Sequence, residues 1–195
     1  MKRAVLLLIV GVEAAGHAQA ASQAPQIQGL VAPAPNPVLA DKLALFGQFI
    51  GDWDCDVVTE QPNGSRISGR CEWHWGWIID GRAVQDVWIA YGDTATHDPR
   101  PTEYGTTLRF YDSRIGAWHV IYIGPVHNNL SIFTARKQGE EIVLQSAIDS
   151  GRVGQWIFSQ ITRDSFHWRG QGSNDSGRTW HVFQEMQVRR VGAPR

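Results

Sequence analysis

The densest chemistry in this sequence lies on either side of an Asp80-Gly81 pair. If these two residues form a hairpin turn, Trp77 stands opposite Val84, Trp75 opposite Asp86 and Trp73 opposite Trp88. Strand alternation then gives one face to Cys71, Trp73, Trp75, Trp77, Val84, Asp86 and Trp88. On an inward face, a single carboxylate would sit in a wall of indoles. A buried carboxylate without a partner takes up a proton more readily, which suits a ligand anchor or a general acid/base. Asp86 is therefore the candidate catalytic residue, and Trp73, Trp75, Trp77 and Trp88 are the candidate binding wall. The pattern also fits an internal ion pair with Arg82, or a hydrogen bond from an indole N–H, that only fixes the fold. A one-residue slip would bring Glu72 and His74 to that face instead.

A second constellation occupies the last hairpin. A connection centred on Ser176 sets His167 opposite Glu185, Arg169 opposite Phe183 and Gln171 opposite His181. These side chains share a face that would serve as a pocket wall for a carboxylate or a proton donor. Read as a solvated outer face, the same pairs would contribute about 0.2–1 kcal/mol each. The intervening Ser173-Asn174-Asp175-Ser176-Gly177-Arg178-Thr179-Trp180 matches the Asp box of sialidase propellers, a turn device in which Ser and Asp hydrogen-bond the loop over the Trp.

Other chemistries find little support. His74, His119, His127, His167 and His181 show no metal-ligand spacing, and no haem-attachment, phosphate-loop, nucleotide or nucleophile motif is present. No metal or cofactor is expected. Cys55 and Cys71, the only two cysteines, fall on neighbouring predicted strands, where a cross-strand disulfide or two buried thiols would both be non-catalytic.

The elements that must position these groups follow from the wider pattern. The 195 residues are 43% hydrophobic and carry nine Trp, 20 Gly and a net charge of -1. That is one globular domain with no field for holding nucleic acid. Lys2 and Arg3, the apolar run Ala4 to Val12 and Ala18-Gln19-Ala20 predict a signal peptide over residues 1–20, hence a periplasmic or secreted product without a membrane span. Residues 21–37, rich in Pro and Ala, read as a flexible leader. Leu39, Leu43, Phe46 and Ile50 then mark a short amphipathic helix.

The domain proper covers 38–190, with a tail at 191–195. Strands are predicted near 52–60, 67–78, 82–91, 104–112, 117–124, 129–136, 141–148, 155–162, 165–172 and 179–190, separated by turn residues such as Pro62-Asn63-Gly64. Ten sequential antiparallel strands leave two long edges unless the sheet closes. The expected fold is thus all-β, an up-and-down antiparallel barrel with one N-terminal helix; a two-sheet sandwich is the alternative.

Phe49-Ile50-Gly51-Asp52-Trp53 places Gly-x-Trp at the opening of the first strand, which resembles the lipocalins and the wider calycin superfamily, including nitrobindin-like and fatty-acid-binding barrels. In lipocalins that Trp packs across the barrel floor beneath an Arg late in the final strand. The resemblance gives these roles to Trp53 and to Arg189 and Arg190. If Cys55 faces Cys71, Trp53 joins the Trp73 face, and the floor analogy makes that face the interior. Glu72 to Arg82, Asp86-Val87-Trp88, Phe166-His167-Trp168 and Gly177 to Trp180 also resemble a bacterial family of lipocalin-like domains without an assigned activity, over roughly 46–190. Nitrobindin-like barrels bind haem through a His, but the His spacing here does not single one out.

The expected function is binding of a small apolar or amphipathic molecule in an aromatic-lined cavity. Its candidate residues are Trp73, Trp75, Trp77, Asp86, Trp88, His167, Arg169, His181 and Glu185. An isomerase, lyase or hydrolase using Asp86 is the alternative, and a cell-envelope interaction protein is a third. Oligomeric state is not legible.

Overall fold

A computed structural model describes residues 25–192, so the predicted signal peptide lies outside the described residues. Ten strands follow one another: β1 (Gly51–Glu60), β2 (Arg66–Ile78), β3 (Ala83–Tyr91), β4 (Pro101–Asp112), β5 (Ala117–Gly124), β6 (Asn129–Gln138), β7 (Glu141–Ser146), β8 (Val153–Ser159), β9 (Ser165–Ser173) and β10 (His181–Arg190). Each pairs antiparallel with the next, and β10 returns to β1, closing the barrel. Closure satisfies both edges that a meander would otherwise expose. The two-sheet alternative is not adopted.

Residues 25–37, within the stretch expected as a leader, carry local structure. Pro25–Leu30 makes a short exposed helix, α1. Ala32 N–H donates to Trp77 O (3.0 Å), and Asn36 N–H to Gly81 O (3.0 Å). The Asn36 amide also donates to the Asp80 carboxylate at 2.9 Å. Gly81 permits this seam twice over, because its φ is 67° and a Cβ there would fall 2.2 Å from Ala34 O.

Asn36 then caps a 3-10 turn at Pro37–Leu39, which runs into helix α2 (Ala40–Gly47). Leu43 and Phe46 of α2, with Phe49 just beyond it, plug one end of the barrel. Phe46 meets Trp118 edge-on at 4.9 Å between centroids, and Phe49 packs on Trp75 and Phe166 at 5.2 and 4.8 Å. Trp77 lies against the end of α2 at Gly47. Below this plug, Trp53 Nε1 donates to Phe49 O at 2.7 Å and the Arg190 guanidinium lies 4.0 Å over the Trp53 ring. Arg190 also donates to the Ile50, Gln48 and Arg163 carbonyls. Arg189, one residue earlier, points outward and pairs with Asp56.

The β2–β3 register pairs Trp77 with Val84, Trp75 with Asp86 and Trp73 with Trp88, as the Asp80-Gly81 turn requires. Cys55 pairs with Cys71 across β1 and β2, where they form a disulfide with Cα atoms 5.0 Å apart. The last hairpin departs from expectation, by one residue at Gln171, which pairs with Val182, and by two beyond the bulge. Glu185 pairs with Arg169 and Gln187 with His167, because the connection is longer than foreseen and β10 bulges between Val182 and Gln184.

Candidate functional site

The plug leaves the other end of the barrel open, and there the interior widens into a cavity of about 610 Å³. Trp73, Trp88, Trp156 and Trp168 form its deep wall, with Met186, Val57 and Ile67 beside them and Phe183 toward the mouth. The β10 bulge brings Phe183 there, its ring against Gly170. The aromatic wall is continuous: Trp156 packs on Phe133 (4.5 Å), on Tyr122 (5.2 Å) and on Trp168 (5.6 Å). A volume in this range suits a small-molecule ligand, for which pockets run to about 300–1,000 Å³.

Only part of the predicted wall reaches this space. Trp73 and Trp88 line it; Trp75 and Trp77 belong to the plugged end, where Phe49 and Gly47 cover them. Asp86 faces inward, as alternation requires, but its side chain is wholly buried and does not line the cavity. Arg109 Nη1 donates to its Oδ2 at 2.5 Å, and Thr107 N–H donates to its Oδ1 at 3.1 Å. The guanidinium in turn lies 4.2 Å over the Trp75 ring and 5.2 Å over Phe46. Burial raises the Asp86 pKa, against the opposing charge and hydrogen bond of Arg109. The same burial lowers that of Arg109. Trp73 Nε1 makes no hydrogen bond of ordinary geometry, although its N–H is near enough to oppose the rise at Asp86.

Arg82, the partner weighed from the sequence, stays outside beside Asp80. Arg109 occupies that role because it stands opposite Val84 on β4, diagonal to Asp86. An anchor or general base needs an accessible oxygen. Asp86, wholly buried and paired with Arg109, lies behind the cavity wall and not on it.

The polar face of the last hairpin is the outer wall. His167 lies 3.5 Å from Glu185, which also pairs with Arg66 at 2.8 Å; Arg169 pairs with Glu141 at 3.1 Å and His181 with Glu60 at 3.2 Å. None of His167, Arg169, His181 and Glu185 lines the cavity, because Trp168 and Met186 take the inward positions beside them. Glu72 and His74 are likewise outward, with His74 against Asp52 at 2.7 Å.

Among the polar residues that reach the cavity, Glu103, Tyr122 and Thr107 are nearly closed to bulk solvent; Thr59, Gln61, Tyr91, Thr102, His127, Asn129, Ser131 and Gln184 line it as well. Glu103 Oε1 accepts from Tyr104 N–H at 2.9 Å, and its Oε2 lies 4.0 Å from His127 Nε2. The Tyr122 ring is held against two glycines: a Cβ at Gly105 would come within 2.5 Å of it, and one at Gly124 within 2.7 Å of its hydroxyl. Burial, and after it the Glu103 charge, push the Tyr122 pKa well up, so this hydroxyl keeps its proton. Sequence reasoning missed both residues. Glu103 fell in a stretch read as loop, and Tyr122 carries no mark that separates it from any other strand aromatic. The pairing of glycines at 105 and 124 with an inward strand position was the available signal.

The architecture matches two solved structures. One is the S-type phycobiliprotein lyase CPES from Guillardia theta, with a TM-score of 0.53 and 9% identity over 77% of this chain and 93% of that one. The other is Rv2717c from M. tuberculosis, with a TM-score of 0.53 and 14% identity over 82% and 98%. What the likeness supports is the closed, ten-stranded, up-and-down antiparallel barrel. At such identities the likeness carries the fold alone.

Two fungal proteins, carboxypeptidase Y homolog A of Ajellomyces dermatitidis and of Blastomyces gilchristii, are 31% identical over 124 residues. That match takes in 58% of this chain but only 22% of theirs, so the chain spans about a fifth of the curated relatives' length. No family profile matches the chain.

Proposed function

We propose that this protein is a binding protein for a small, largely apolar molecule held in the open end of its barrel. One observation carries the reading: Leu43, Phe46 and Phe49 plug one end, while the other keeps a cavity of about 610 Å³ walled by four Trp and Tyr122. A barrel that needed its side chains only for stability would fill this space, since interiors pack to about 0.74–0.76 density. Export belongs to the same reading. The basic, apolar and small-residue order of residues 1–20 supports it, as does the Cys55–Cys71 disulfide, a bond that persists in oxidising compartments.

The test is titration with N-phenyl-1-naphthylamine, a neutral aromatic fluorophore. Saturable one-to-one enhancement is expected, and it should vanish in Ser131→Trp, which fills the cavity from β6. Unsaturable enhancement, or enhancement unchanged in that variant, would overturn the reading.

A second reading, an interaction protein, is favoured by the outer wall of β5 and β6. Ile123 pairs there with Leu130, and Ile121 with Ile132, leaving Ile123, Leu130 and Ile132 exposed. Contiguous exposed apolar groups of this kind mark association surfaces. Sedimentation of wild type against Leu130→Lys/Ile132→Lys tests it: a shift from a larger to a smaller species supports association through this wall.

A further inference from the structure

The cavity has a charge asymmetry that goes beyond shape. Among the described residues lining it, Glu103 is the one carboxylate, and no Lys or Arg is present. The Glu103 side chain is only 7% exposed. Its Oε1 has the Tyr104 N–H, but no described residue donates a hydrogen bond to Oε2; the nearest cationic candidate, the exposed His127, stops at 4.0 Å. Oε2 instead lies over Gly124, 3.1 Å from where a Cβ would stand, next to the Tyr122 hydroxyl. A carboxylate this deep is normally paired with Arg or Lys, as Asp86 is.

Aromatic residues share the cavity with it. Trp88 is diagonal to Glu103 across the β3–β4 pairing, and Trp156 meets the Tyr122 ring edge-on at 5.2 Å. Aromatic rings around one carboxylate attract a cation with an apolar skin, through ring quadrupole and countercharge together. The same site repels carboxylates, phosphates and sulfates.

We propose that the cavity selects amphipathic molecules bearing a protonated or quaternary amine, with Glu103 as countercharge and Trp88, Tyr122 and Trp156 as the cage. The inference rests on the cavity-binding reading above and names its ligand class. The apolar remainder of such a molecule would lie along Trp73, Trp168 and Met186.

The experiment displaces bound N-phenyl-1-naphthylamine with three ligands of equal chain length: octyltrimethylammonium, 1-octanol and octyl sulfate. The ammonium should compete at least about tenfold better than the alcohol, and the sulfate worse than either. In Glu103→Gln, which keeps shape and the Tyr104 contact, the ammonium advantage should fall by about tenfold while octanol is unchanged. Equal competition by all three, or an ammonium preference that survives Glu103→Gln, would overturn the amine assignment but leave the cavity reading intact. Failure of the fluorophore itself to bind would remove both.

Discussion

Arg109 Nη1 donates to Asp86 Oδ2 across 2.5 Å, and neither side chain has any contact with solvent. The one carboxylate in the indole wall is therefore spent inside the protein, between a plugged barrel end and a ligand-sized cavity.

Removing one member of such a pair leaves the other charge buried and uncompensated. Asp86→Asn is expected to cost about 3–5 kcal/mol of stability in urea denaturation, as is Arg109→Met. The double substitution Asp86→Leu/Arg109→Met should recover most of that loss, because the apolar surroundings then hold no stranded charge. An enzyme using Asp86 would behave in the opposite way, losing turnover while keeping its melting temperature.

The two arginines at the end of β10 should separate cleanly. Arg190 stacks on Trp53 and donates to three carbonyls, so Arg190→Ala should cost about 1–3 kcal/mol in denaturant titration. Arg189 and Asp56 are both more than half exposed, and Arg189→Ala should cost no more than about 1 kcal/mol.

Gly124→Ala tests the Tyr122 arrangement. The added methyl would fall 2.7 Å from the Tyr122 hydroxyl and 3.1 Å from Glu103 Oε2, so the Tyr122 side chain must shift from its place on the cavity wall. N-Phenyl-1-naphthylamine binding should weaken measurably, with a stability loss of about 1–3 kcal/mol from overpacking.

The Asp175 loop supplies a pH dependence of definite sign. Its carboxylate accepts from Thr179 N–H (2.9 Å), the Ser173 hydroxyl (2.7 Å), the Thr179 hydroxyl (2.7 Å) and Arg178 N–H (3.0 Å), which hold its pKa down to about 2. The folded value lies below the unfolded one of about 3.9, so the loop is fully stabilised above that pH and loses this contribution as pH falls through about 2. The Thr179 and Arg178 amide resonances should titrate with a midpoint near the lower value.

Reduction of Cys55–Cys71 should lower stability by about 3 kcal/mol in the chain-entropy picture, given a separation of 16 residues. Melting with and without reductant measures this, with Cys55→Ala/Cys71→Ala as the reagent-free control.

Local rules determined much of this protein. Alternation and turn chemistry were enough for ten strands and for the Trp73–Trp88 and Trp75–Asp86 pairings, because a two-residue turn and a period of two leave one register; which face turns inward came from the resemblance of Trp53 to the lipocalin floor Trp. Helical spacing likewise found Leu43 and Phe46. The last hairpin escaped those rules because a seven-residue connection and a bulge each shift the pairing without a distinct sequence mark.

Only the tertiary structure decided how deep each inward residue lies along the barrel axis. Strand tilt and the position of α2 bury Trp75 and Asp86 at the plugged end, set the half-buried Trp77 against α2, and leave Trp73 and Trp88 on the cavity wall. The partner of Asp86 comes from β4, across the long connection whose length hides its register from sequence. Glu103 and Tyr122 meet over Gly124 for the same reason: alternation says which face a side chain takes, while closure of the sheet decides which residues share that face at one height.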